Sequence, residues 1–184
     1  MRIADKKRSI YHGLQRLPWP RYLCAMWILC GELRSLYLGS LNESEQSLMA
    51  ATLDFVRARM TRGDIELTTS EANKLALGWE QLTDEREPDI SAGHWNTLAT
   101  FRNLAGEIAK QWPRYEGSER LTLAATERWR VPTEGLILVD PDEVVDDATP
   151  MAQTLARFER IIDGVAQAPE SEHDPMQIQA QILG

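Results

Sequence analysis

Histidine and cysteine are scarce in this chain, three and two residues among 184, and that scarcity removes whole classes of chemistry. A di-iron carboxylate bundle needs inward glutamates and two Glu-x-x-His pairs. The spacing occurs once, from Glu170 to His173, in a proline-containing stretch and without a second pair. His12, His94 and His173 sit on unrelated segments, so a His-rich metal centre is not expected. There is no Cys-x-x-Cys, Gly-x-Ser-x-Gly, Walker loop or Gly-x-Gly-x-x-Gly, which argues against dithiol redox, hydrolase and nucleotide-binding chemistry. Neither a metal nor a cofactor is expected.

The two cysteines, Cys24 and Cys30, lie in the most apolar part of the chain, where a reactive thiolate is disfavoured. Six residues apart on a helix, they are separated by ~9 Å of rise, too far for a mutual disulfide. Buried thiols in a reducing compartment are the simpler reading. A charged n-region followed by an apolar h-region and a small-residue cleavage site is also missing, so a cytoplasmic location is the expectation.

Long apolar runs are absent as well. The longest uncharged stretch of the central segment runs only from Tyr22 to Gly31, well short of the ~20 residues that span a bilayer. What that segment does have is apolar residues on nearly every helical face. Trp19, Leu23, Met26, Cys30, Leu33 and Tyr37 make one stripe, and Tyr22, Ala25, Leu29 and Leu36 cover much of the rest. A helix apolar all round is wrapped by others, so residues 19–38 are expected to be the central helix of a bundle.

The flanking pattern is helical throughout. Residues 2–16 place Ile3, Ile10, Tyr11, Leu14 and Leu17 among basic side chains, a short amphipathic helix expected to pack on the bundle. Asn42 with Glu45 reads as a capping box, followed by Leu48, Met49, Leu53, Val56 and Met60 at helical spacing until Arg62-Gly63-Asp64. Thr68 with Glu71 reads as a second box, leading into Ala72, Leu75, Trp79 and Leu82. Trp95, Leu98, Phe101, Ala105, Ile108 and Trp112 make a fifth helix, expected to stop at Pro113. A sixth is read over Ser118 to about Trp129. Leu136 to Val139 is a short apolar run with no second strand to pair with, read as an extended connector. Thr149-Pro150 opens the cleanest amphipathic pattern, Met151, Leu155, Phe158, Ile162 and Val165. The expected fold is all-α: a single-domain bundle of six to eight helices, with residues 1–167 as the helical domain. Residues 168–184 are expected to form a polar C-terminal tail, in which Ile178 and Ile182 allow a short helix.

Charge is the other informative feature. The net charge is −8. Residues 140–184 carry ten carboxylates against Arg157 and Arg160, and so account for the whole excess. The first sixteen residues lean the other way, with Arg2, Lys6, Lys7, Arg8 and Arg16 against Asp5. Thr68 to Trp79 resembles the start of a helix-turn-helix, but residues 61–89 hold eight carboxylates against Arg62, Lys74 and Arg86. Phosphate contacts need the opposite sign, so nucleic-acid binding there is not expected. Two acidic connectors remain as the candidate partner-binding surface. One carries Asp84, Glu85, Glu87 and Asp89, and the other Asp140, Asp142, Glu143, Asp146 and Asp147. Between helices such residues are exposed and face a basic partner well, although acidic loops also serve solubility alone.

Trp19, Leu29-Cys30 with Glu32, Thr52-Leu53-Asp54-Phe55 and the helix from Leu98 to Ile108 follow one another in an order that resembles the YjaG-like family of small bacterial helical proteins. The likeness covers about residues 20–110, with Gly31 displacing the glutamate from its place beside the cysteine. That family has no established activity, so the resemblance implies helical architecture and transfers no site residue.

Together these features point to a non-enzymatic protein-binding module, most concretely a bacterial immunity- or antitoxin-like protein whose acidic loops bind a basic protein. No direct nucleic-acid or membrane contact is expected, and a homo-oligomer is left open. The rival reading is an enzyme or small-molecule binder with an interhelical pocket drawn from Trp27, Tyr37, Trp79, Trp95 and Trp112 with Glu32, Glu107 and His94. Glu32 stands out as a carboxylate on an apolar helix, for which an arginine such as Arg102 is the expected partner. A core or capping role is the expectation for His94. A third class is a subunit of a helical assembly.

Overall fold

A computed structural model describes residues 3–62, 69–84, 92–115 and 150–184. Among the described residues there are seven α-helices and no strand. They are α1 (Ile3–Arg16), α2 (Trp19–Tyr37), α3 (Glu43–Arg62), α4 (Thr69–Asp84), α5 (Ala92–Tyr115), α6 (Pro150–Gln167) and α7 (Pro175–Leu183), with a 3-10 turn at Leu38–Ser40. The all-α bundle expected from the sequence is the observed architecture. The segments read as a helix over 118–129 and a connector over 136–139 lie outside the described residues, as does Thr68.

The bundle is organised around α2, which packs against α1, α3, α5, α6 and α7. Pro18 precedes its first turn and Pro20 sits within it, positions where a missing N–H costs nothing. From Trp19 to Leu33 ten of its side chains are buried. Fully burying a side chain of the size of Leu23, Met26, Ile28 or Leu29 contributes about 1.5–3 kcal/mol, so this one helix anchors much of the core. Its wrapping ends one turn later. Leu36 is 60% exposed, contrary to the expected all-round burial, while its neighbour Tyr37 stays packed against the core, so beyond Leu33 the cover of α2 is one-sided.

The first capping box forms as expected. Glu45 N–H donates to Asn42 Oδ1 and Asn42 N–H donates to Glu45 Oε2, each at 2.8 Å. These bonds satisfy donors that a helix start otherwise leaves open. α4 and α5 form the most extensive helix pair, with Trp79 stacked on Phe101 at 5.5 Å between ring centres. In α5 the buried stripe is His94, Leu98, Phe101, Ala105 and Ile108, spaced four, three, four and three. Trp95, expected to head that stripe, is instead 39% exposed; the register puts its neighbour His94 inside. The helix also runs two residues past Pro113. Proline's fixed φ suits a helix, and so close to the C-terminus it forfeits one hydrogen bond without ending the coil at once.

The basic N-terminal helix packs on α6, where a Cβ on Gly13 would come within 2.9 Å of Ile162 Cγ2. The absence of that atom lets the two backbones approach, and Lys6 pairs with Glu159 across the seam. In the polar stretch from Ala168, α7 is capped by Asp174, which accepts from Met176 N–H at 3.0 Å. It buries Pro175 and Ile178 against α2 and α6. No described helix is long and apolar enough to cross a membrane.

Candidate functional site

The one described member of the expected acidic surface, Asp84, ends α4 with its side chain 72% exposed and 3.6 Å from Arg102 Nη1. Glu85, Glu87, Asp89, Asp140, Asp142, Glu143, Asp146 and Asp147 lie outside the described residues. What the structure adds is the face that leads to Asp84. Asn73, Lys74, Leu77, Glu80, Gln81 and Asp84 are all exposed and recur at three- and four-residue spacing, so they line one side of α4. Leu77, 54% exposed, is followed one turn later by Glu80 and another turn later by Asp84. Carboxylates near a helix C-terminus oppose the macrodipole, and α4 has no basic residue in its last turn. Helix stability therefore does not account for the charges there.

Among the described residues, a buried polar constellation joins the starts of α3 and α5. Glu45 is fully buried and His94 nearly so, with His94 Nε2 donating to Glu45 Oε2 at 3.1 Å. The same oxygen accepts the Asn42 N–H. One carboxylate thus serves a helix cap and an interhelical bond at once, which accounts for His94 structurally. A second buried link ties α3 to α4: Trp79 Nε1 donates to Thr52 Oγ1 at 2.9 Å, while Thr52 Oγ1 donates to Leu48 O at 2.8 Å.

Two of the tryptophans considered for a pocket take part in interhelical bonds. Trp27 Nε1 donates to Leu53 O at 2.8 Å, Trp79 is used as above, and Trp95 faces outward. Tyr37 is half-buried at the end of α2. Glu107 and Trp112 have side chains outside the described set. Glu32 is held by Arg157, whose Nε and Nη2 donate at 2.5 and 3.2 Å, and not by Arg102. The choice of partner has a topological cause: Glu32 faces the α6–α7 side of α2, whereas Arg102 reaches the end of α4. The open groove of about 590 Å³ between α6 and α7 is lined by Glu159, Arg160, Asp163, Gly164 and Ile182 among others, and by none of the residues of the pocket reading.

Neither cysteine is poised for nucleophilic chemistry. Burial above all, opposed by Arg21 and aided by Asp174 and Glu172, pushes the Cys24 thiol up to about 12. Burial alone pushes Cys30 up as well. No group of three or more His, Cys, Asp or Glu side chains able to hold a metal occurs among the described residues.

Sequence reasoning missed the long-range polar ties of the C-terminal stretch. Arg21 Nη2 donates to Ala168 O and Pro169 O at 3.1 and 2.6 Å, and Arg21 Nη1 to Glu172 O at 3.2 Å, capping the end of α6 with a cation where the dipole favours one. Arg57 grips Asp174 through Nε and Nη2 at 3.1 and 2.9 Å. Partners more than a hundred residues apart leave no local signal. No family model, no curated protein and no solved structure matches this chain.

Proposed function

We propose that this chain is a non-enzymatic protein-binding module that offers the acidic end of α4 to a basic protein, in the manner of an immunity- or antitoxin-like protein. The observation that carries the reading is the exposed Leu77, Glu80 and Asp84 row, an apolar anchor followed by two carboxylates whose placement works against their own helix. The acidic sequence directly after Asp84 extends the same charge. Such a face steers a basic partner by long-range attraction and fixes it with a small apolar contact. The negative sign argues against nucleic acid as the direct ligand.

The test compares capture by the native chain with capture by a Leu77→Ala, Glu80→Lys, Asp84→Lys variant, using lysate of the organism that encodes it at low and high salt. The expected result is a basic protein held by the native chain at low salt, released at high salt, and lost from the variant while its melting temperature is preserved. Capture that is indifferent to these three substitutions would sink the proposal, as would an absence of any specifically held protein.

A further inference from the structure

The C-terminal stretch is attached differently from the rest of the bundle. α7 has nine residues, too few for a helix to persist on its own. It buries only Pro175 and Ile178 fully, with Ile182 and Leu183 partly covered and Met176 exposed. Its seam with α6 is close at Gly164, where a Cβ would meet Ile182 Cγ1 at 2.5 Å, and beside that contact the seam opens into the 590 Å³ groove. The remaining attachments are single polar side chains reaching out from the bundle. Arg21 holds the carbonyls of the turn before α7, Arg57 holds Asp174, and Gln179 touches Glu32 at 3.5 Å. The Arg57 side chain is 40% exposed, so its pairing is open to water and salt.

Beneath this stretch lies Cys24. Its thiol is fully shielded, and it lies one turn along α2 from Arg21, on the same helix face; the Arg21 guanidinium bonds the carbonyls of Ala168, Pro169 and Glu172. Cys30, two turns further along the same helix, is influenced by burial alone. Cys24 therefore shares the face of α2 that meets the C-terminal stretch, whereas Cys30, six residues on, points about 120° away from it.

We propose that residues 168–184 form a strap that opens as a unit while the rest of the bundle stays folded, with the Arg57–Asp174 pair as its catch, and that opening uncovers its apolar seat on α2 and α6 together with the Cys24 thiol. Units with few buried contacts open sub-globally at lower free energy than the core, and a terminal element can do so without moving any other. Asp174 is both catch and helix cap, so its loss releases the pair and the first turn of α7 together. The seat so exposed is an apolar strip rimmed by Arg21, Glu32, Arg57 and Arg157, a surface whose availability is set by the state of the strap.

The two cysteines provide the assay. The full-length protein is treated with N-ethylmaleimide under native conditions, and labelling at Cys24 and Cys30 is followed separately by peptide mass spectrometry. The expected result is Cys24 reacting roughly tenfold or more faster than Cys30. Asp174→Asn, which keeps a good N-cap, should accelerate Cys24 by roughly threefold, and Asp174→Ala by more than tenfold, with Cys30 unchanged in both. Hydrogen exchange on the native chain supplies a readout independent of any variant: amides of 177–183 should exchange as one block, well ahead of those of 23–30. Labelling of both thiols at one common rate, or protection of α7 equal to that of α2, would overturn the proposal.

Discussion

Replacing Glu45 by alanine removes a buried carboxylate that serves two partners at once. The carboxylate is fully buried and its Oε2 receives both the Asn42 N–H at 2.8 Å and His94 Nε2 at 3.1 Å. Losing the first bond undoes half of a capping box, about 1 kcal/mol. Losing the second removes the carboxylate partner of a buried ring nitrogen, about 1–3 kcal/mol. The void left by the missing side-chain atoms adds to both. The sum is about 3–5 kcal/mol, in keeping with the cost of removing one member of a buried polar pair. Set against a total of about 5–15 kcal/mol for a domain, the urea midpoint should fall by roughly a fifth or more at unchanged slope. Glu45→Gln retains an acceptor oxygen of nearly the same shape and should cost clearly less, about 1–2 kcal/mol. A double-mutant cycle with His94→Ala should return a coupling of about 1–3 kcal/mol. If Glu45→Ala costs under about 1 kcal/mol, or the cycle shows no coupling, the junction of α3 and α5 does not depend on this pair and the reasoning fails.

Other outcomes follow from the same geometry. Thr52→Val leaves the buried Trp79 Nε1–H facing a methyl group and should cost about 1–3 kcal/mol in denaturant titration, whereas Glu32→Ala, at a partly exposed pair, should cost no more than about 1 kcal/mol. The Arg57 guanidinium beside Asp174 holds that carboxyl below its ordinary range, so the folded state binds fewer protons there than the unfolded one. Its contribution is therefore complete above the unfolded value of about 3.9 and is lost as pH falls through the depressed folded value; melting curves from neutral to acid pH should show that loss in the native chain and a shallower one in Asp174→Asn. Ile178→Ala, which truncates the fully buried anchor of α7, should destabilise the closed strap by about 2–3 kcal/mol, read as faster hydrogen exchange of amides 177–183 with those of 23–30 little changed.

The fold was legible where physics is local. An apolar surface on every side of residues 19–33 has no stable home except inside a bundle, and the Asn42–Glu45 spelling sets a helix start whatever surrounds it. The recurrence of apolar residues at three and four positions likewise marked α3, α4, α5 and α6 before any packing was known. Tertiary structure decided what depends on rotation and partners. A register shift of one residue, about 100° around a helix, separates a buried His94 from an exposed Trp95, and composition alone favours the tryptophan. Whether Glu32 meets Arg102 or Arg157 depends on which helix faces which side of α2, and the chain order is silent on that. Residues 168–184 read as a polar tail because most of their side chains are polar. The arginines that hold them, Arg21 and Arg57, lie more than a hundred residues upstream and are brought there only by the closing of the bundle.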